Sequence, residues 1–300
     1  MELWIFLSIA AAFFQTLRFM LQRQLSLGTL SAGGATLARF LYSAPIVAVG
    51  IALYLTATAQ ALPEVPVRFW IYGAVGGVAQ ILATVAVVML FKARNFAVAV
   101  TLQKTAVIQA VLVGWVLLGD AVSVWGFIAI GVGVVGVVLL SAPPEIARVG
   151  WRDLLNRAAG LGLGAGFLFA ISGVCYRGAS LSLALDDPFA RAGLTLSAVT
   201  AMQTVAMVVW LRWRDPGQVA AVWRARRVAI WVGLLSMAGS FCWFTAFTLQ
   251  NAAYVNAVGQ AELIFSALAS VYVFRETIDR RERIGMGVLL LSILAIVLVN

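Results

Sequence analysis

The sequence predicts an all-α integral membrane protein, with ten transmembrane helices arranged as two inverted five-helix repeats around a central cavity. Three observations predict it. Apolar residues make up 63% of the chain and charged residues 11%, against about 25% charged in an ordinary soluble domain. Apolar stretches of about 20 residues, long enough to cross a bilayer, follow one another from end to end with short connections. Finally, residues 91–131 match residues 247–287 without a gap: Phe91 falls on Phe247, Asn95 on Asn251, Ile108 on Ile264, Asp120 on Glu276 and Gly131 on Gly287.

Hydropathy places the spans near 3–22, 33–57, 68–90, 95–117, 122–141, 158–180, 189–211, 227–249, 252–274 and 281–299. The first begins after Glu2, with no basic leader or small-residue cleavage site, so it reads as a retained span. The longest connections, 142–157 and 212–226, carry Trp151 and Trp223 among arginines and read as segments in the headgroup region. The chain thus divides into a first repeat (1–141), an interfacial connection (142–157) and a second repeat (158–300), all one membrane domain.

The net charge of +9 would suggest nucleic acid in a soluble chain, but here the arginines cluster at span ends and set topology. Odd-numbered loops hold Arg23, then Lys92 and Arg94, Arg148, Arg152 and Arg157, the group Arg212 to Arg227, and Arg275 to Arg283; even loops hold little beyond Arg68 and Arg177. The positive-inside rule places the odd loops in the cytoplasm and both termini outside. The repeat agrees: Lys92 and Arg94 correspond to Thr248 and Gln250, while Gly119, Trp125 and Phe127 correspond to Arg275, Arg281 and Arg283. Equivalent loops with opposite charge are what two halves inserted in opposite directions produce, an architecture typical of secondary transporters.

Polar residues inside the spans point to a cavity. Span one carries Gln15, Arg18 and Gln22 on one face, span two Thr36, Arg39 and Ser43, and span three Gln80 and Thr84. Span four carries Thr101, Lys104, Thr105 and Gln109; span six Ser172 and Tyr176; span eight Ser236, Ser240 and Trp243. Span nine carries Asn251, Tyr254, Asn256, Gln260, Glu262, Ser266 and Ser270. Spans five and ten are almost free of polar residues and read as peripheral.

Glu262 and Lys104 lie too deep to reach water by snorkelling, and a charge at that depth costs several kcal/mol, about 2.5–3.5 by insertion scales, without a partner. A purely structural ion pair is the plainer reading of the two. Snorkelling toward a span end is the plainer reading of Arg18, Arg39, Arg177 and Arg191, and packing that of Trp243 and Tyr254. Lys104 corresponds to Gln260 and not to Glu262, so the two charges are expected apart, across the cavity, with Glu262 free to take up a coupling proton.

The remaining composition narrows the chemistry. There is no histidine, and Cys175 and Cys242 fall inside apolar spans, so packed thiols are expected and neither a metal site nor a cofactor. No nucleotide-binding Gly-Lys-Ser/Thr motif is present, which removes ATP as a direct energy source. No filter-like repeat argues for a channel. Asp186-Asp187-Pro188 reads as a turn and helix cap, which leaves an integral membrane enzyme with little support.

Leu118-Gly119-Asp120 and Phe274-Arg275-Glu276 after spans four and nine, the glycine-rich start of span six, and Gly131, Gly133, Gly136, Gly285 and Gly287 in the last span of each half resemble the drug/metabolite transporter superfamily, EamA type. The resemblance covers essentially the whole chain. It implies a basket of ten helices with a cavity between spans one, three, four, six, eight and nine, and export or exchange of small metabolites, often amino acids. It also implies cytoplasmic termini, where the charges of this chain say outside.

The function expected from both lines is secondary active transport of a small polar metabolite, an amino acid or related compound, across the cell inner membrane. Gln15, Arg18, Gln80, Thr84, Lys104, Ser172, Tyr176, Trp243, Tyr254, Gln260 and Glu262 are the expected substrate contacts. Glu262 would bind an ammonium group or a coupling proton, and Lys104 with Arg18 or Arg39 a carboxylate. The alternative is an anionic metabolite or a lipid headgroup. Partners are then the small solute and the bilayer, with proton coupling and no nucleic acid.

Overall fold

The computed structural model describes residues 2–28, 30–90, 102–141, 157–274 and 279–299, with side chains throughout except at 141, 157, 158, 269–274 and 299. The expectations for Lys92, Arg94, Asn95, Thr101, the connection 142–156, the Ser270 side chain, Arg275 and Glu276 lie outside the described residues. All regular structure among the described residues is helical. The helices are α1 (Leu3–Leu27), α2 (Ala32–Leu41), α3 (Ser43–Ala57), α4 (Val67–Leu90), α5 (Ala106–Leu118), α6 (Val124–Ser141), α7 (Arg157–Leu181), α8 (Pro188–Arg214), α9 (Gln218–Arg224), α10 (Arg226–Leu249), α11 (Ala252–Gly259), α12 (Ala261–Phe274) and α13 (Arg280–Val299). Among the described residues, six stretches are long and apolar enough to cross a membrane: 3–27, 32–57, 67–90, 159–181, 188–214 and 226–249. The apolar helices α5 and α6 are shorter.

Helix ends follow local chemistry. The Ser31 hydroxyl accepts from Gly34 N at 3.2 Å and opens α2. Asp187 caps α8 by accepting from Phe189 N at 2.9 Å, with Pro188 at the first helical position, where its missing N–H is harmless. Asn251 caps α11 in the same way through Ala253 N. Gly119 ends α5 in the left-handed conformation, φ 69°, and its amide and that of Asp120 bond back to Trp115 O and Gly114 O. That is the physical content of the Leu-Gly-Asp turn: only glycine adopts this φ without strain.

Two predicted continuous spans are interrupted. The stretch 33–57 breaks at Tyr42, because Pro45 has no N–H to donate and its ring collides with the carbonyl four residues back. The stretch 252–274 breaks at Gln260, between α11 and α12. Span four shows a matching feature, since Lys104 and Thr105 form a turn between the helical residues Leu102 and Gln103 and the start of α5.

In lipid the hydrophobic effect does not drive helices together, so close packing and hydrogen bonds must. Three pairs pack along most of their length: α1 on α10, α4 on α7, and α6 on α13. The last shows how close they come. A Cβ on Gly136 would lie 2.8 Å from Leu289 N, and one on Gly285 2.9 Å from Leu140 N, so the two backbones touch only because both positions are glycine. The Ser292 hydroxyl donates to Ala129 O across the same seam at 2.7 Å. The outer faces of α6 and α13 present Val124, Trp125, Phe127, Leu291 and Leu298 to the surroundings, as expected of peripheral helices in lipid. α8 packs against α2, α3, α4 and α10, and α5 against α7 and α11. The short α9 lies where the headgroup segment was expected, its Trp223 exposed and stacked on Tyr42.

Candidate functional site

The two breaks, at Lys104 and at Gln260, meet in the middle of the molecule. A break leaves helix-terminal N–H groups without intrahelical partners, so it makes a polar spot inside an apolar body. Glu262 lies in the first turn of α12, where the positive end of the helix dipole favours a carboxylate. Gly259, the last residue of α11, lets the indole of Trp243 approach: a Cβ there would sit 2.1 Å from the ring.

The Lys104 ammonium pairs directly with Glu262 Oε1. The Gln15 amide donates to Glu262 Oε2, and Trp243 Nε1 donates to Gln15 Oε1 at 3.3 Å. The expected separation of Lys104 and Glu262 is therefore corrected. Side chains on a helix lean toward its N-terminus, which directs Glu262 back into the break where Lys104 already sits. Both are buried, 5% and 8% exposed.

A cavity of about 80 Å³ opens beside this pair, lined by Gln15, Arg39, Gln80, Lys104, Ser172, Tyr176, Trp243, Asn256, Gln260 and Glu262 with the rings of Phe169, Phe244 and Phe247. A water needs about 10–15 Å³ of such space, so there is room for a few waters or a small solute. Its aromatic walls are stacked pairs, Tyr176 on Phe244 at 4.3 Å between centroids and Trp243 on Phe247 at 5.6 Å. The Tyr176 hydroxyl donates to Gln80 Oε1, which also accepts from Gln203. Two buried polar atoms on the lining have no partner, Asn256 Nδ2 and Gln260 Oε1. One is a donor and the other an acceptor, so both suit a polar guest.

Of the eleven residues expected at the site, Gln15, Gln80, Lys104, Ser172, Tyr176, Trp243, Gln260 and Glu262 line this cavity. Arg18 lines a small adjoining recess. Thr84 stands behind the wall, its hydroxyl accepting from Arg39 Nη1 at 3.2 Å. Tyr254 lies elsewhere: its ring packs on Gly126, and its hydroxyl meets Ser123 N and Oγ at 3.1 and 3.2 Å. It lies almost two turns of α11 before the break at Gln260 and faces α6. Arg39, Gln103 and Asn256 join the lining although they were not among the eleven. For Arg39 the available signal was its spacing with Thr36 and Ser43 on one helix face.

Arg177 is not a snorkelling residue. Its Nε bonds Asp120 Oδ2 at 2.9 Å and its Nη1 caps the carbonyls of Phe247 and Gln250 at the end of α10. The acid of the Leu-Gly-Asp turn thus fastens α5 to α7 and α10. Cys175 and Cys242 are free thiols, and among the described residues no group of three metal-ligating side chains occurs.

Six apolar spans and a charged, buried centre define a multi-pass helical membrane protein with a polar cavity inside it. Residues 156–298, just under half of the chain, match the model of the EamA-like transporter family, part of the drug/metabolite transporter superfamily. The family is one of membrane transporters, not enzymes. A solved structure titled only "Crystal structure of protein" superposes with a TM-score of 0.69 at 15% identity, covering 99% of this chain and 96% of that one. At that identity the likeness is one of fold. No curated protein matches the chain.

Proposed function

We propose that the protein is a secondary active transporter that exports or exchanges a small polar metabolite, an amino acid or related compound, by alternating access. The observation that carries this reading is the polar cavity built on the Lys104–Glu262 pair at two helix breaks. Broken helices with charges at the break are how transporters bind polar solutes in mid-bilayer. A zwitterion enters by exchanging with the pair: its ammonium takes Lys104's place on Glu262, and its carboxylate turns to the cations of the cavity. Gln15 and Trp243 keep Glu262 oriented, and Asn256 and Gln260 offer their free donor and acceptor. Protonation of Glu262 after Lys104 leaves is the coupling step this geometry allows.

Ten spans in two inverted halves, residues 1–141 and 158–300 joined by 142–157, form the scaffold of this reading. The packing pattern supports it. Exchanging each helix for its counterpart five spans away turns the α1–α10 contact into the α4–α7 contact and returns the α6–α13 contact to itself. The breaks at Lys104 and Gln260 are also counterparts. The charge asymmetry supports termini outside the inner membrane.

The test is counterflow in proteoliposomes with labelled amino acids, with and without a proton gradient. Saturable exchange that is lost in Glu262→Gln supports the reading, and wild-type flux in that variant removes it. A periplasm-dependent reporter fused after Asn300 should be active; an inactive, well-expressed fusion would reverse the topology.

A further inference from the structure

Beside the main cavity lies a second recess, of only about 10 Å³, lined by Gln15, Arg18, Arg39, Ser236, Gly239, Ser240 and Trp243 among others. It shares Gln15, Arg39, Ser240 and Trp243 with the cavity. Its two arginines are 3% and 5% exposed. Neither meets a carboxylate: the ion pairs among the described residues are Lys104–Glu262 and Arg177–Asp120.

A guanidinium has five N–H donors. Arg18 uses Nη1 on Gln22 Oε1 at 2.7 Å. Arg39 donates to Thr84 Oγ1 at 3.2 Å and to Ser240 Oγ at 3.3 Å. All of these acceptors are neutral. The remaining compensation is aromatic, Arg18 over Phe19 at 4.1 Å and Arg39 over Phe40 at 5.2 Å. Two like charges buried together in a membrane protein cost several kcal/mol unless an anion joins them. An independent observation points to the same gap. Ser236 Oγ is buried on this recess and has no hydrogen-bond partner, although a helical serine ordinarily bonds a carbonyl of the preceding turn.

We propose that Arg18, Arg39 and Ser236 form a carboxylate subsite, and that the transported solute is an organic acid of net negative charge whose other end lies in the main cavity. This rests on the transport reading and narrows it. The size of the recess limits what enters it: about 10 Å³ holds roughly one water-sized atom group, so a single anionic oxygen enters and a whole solute does not. Charge selects the solute. Lys104, Arg18 and Arg39 against Glu262 leave a surplus of two positive charges. A neutral zwitterion leaves that surplus in place, an acidic amino acid halves it, and a dicarboxylate cancels it.

The test is thermal stability and calorimetric binding of the full-length protein in detergent. The probes are succinate, L-alanine and inorganic phosphate at matched ionic strength, with a further arm in nanodiscs of phosphatidylglycerol against phosphatidylcholine. Succinate should bind at least tenfold more tightly than alanine, and Arg18→Gln and Arg39→Gln should each weaken it at least tenfold. Ser236→Asp tests the site even if the arginine variants fail to fold. It places a carboxylate on the recess that the two arginines line, so it should raise the melting temperature and abolish succinate binding. Lowered stability in Ser236→Asp, or succinate binding undiminished in it, overturns the subsite. Protection by phosphate or by phosphatidylglycerol without protection by succinate overturns the carboxylate assignment. Alanine exchange in proteoliposomes without succinate binding refutes the subsite and leaves the transporter standing; succinate binding without flux of any solute does the reverse.

Discussion

Glu262 has room on its two oxygens for about four hydrogen bonds, and the protein supplies one charged donor, Lys104, and one neutral one, Gln15. Lys104→Met leaves a buried carboxylate held by an amide alone. Removing one partner of a buried pair costs about 3–5 kcal/mol, much of it the desolvation of the charge left behind. Glu262→Gln leaves the Lys104 ammonium facing a neutral amide and should cost a similar amount. The double variant has no stranded charge and should be more stable than either single one, which requires a coupling energy larger than a single cost, about 3–5 kcal/mol or more. The assay is unfolding of all four proteins in mild detergent by denaturant titration, followed by flux in liposomes. Single costs that add to the double within about 0.5 kcal/mol would show no coupling and would refute the pair as the organising contact of the cavity.

Gly259→Ala should push the Trp243 indole off Gln15, since the added Cβ would stand 2.1 Å from the ring. Overpacking of this kind costs about 1–3 kcal/mol, read as a lowered melting temperature together with reduced exchange; an unchanged protein would contradict the close approach. Asp187, at the exposed start of α8, is pushed up by burial but pulled down further by hydrogen bonds from Gln60, Tyr54 and the Phe189 and Ala190 amides, so its carboxyl sits below the ordinary range. A depressed carboxyl contributes stability above its unfolded value of about 3.9 and loses it as pH falls through the folded one. Asp187→Asn should therefore flatten the acid limb of the stability curve below about pH 4, measured by melting temperature against pH; an unchanged acid limb would count against it.

The spans, the inward charges and the Leu-Gly-Asp turn were legible in the residues because each is a local or near-local property. A run of apolar side chains, a carboxylate too deep to snorkel and a glycine that must take positive φ carry their meaning wherever the chain folds. The deep charge was informative for a thermodynamic reason: burying it is expensive, so Glu262 and Lys104 had to be compensated somewhere. Where they were compensated was not legible. Whether Lys104 faces Glu262 or the far wall depends on how two broken helices meet, and a break of one turn at Gln260 redirects every side chain after it. Arg18 and Arg39 looked like residues reaching for the headgroups, since each lies within a few turns of a span end. Only the packing of α1 and α2 against α10 sets them beside Ser236, with neither ion-paired to a carboxylate among the described residues. Tyr254 went the other way: its place near Glu262 in the chain suggested the cavity, and the rotation of α11 gave it to Ser123 instead. Local residue types determine what must be buried and at what cost, while contacts between residues hundreds of positions apart decide which partner meets that cost, and those contacts exist only once the helices have packed.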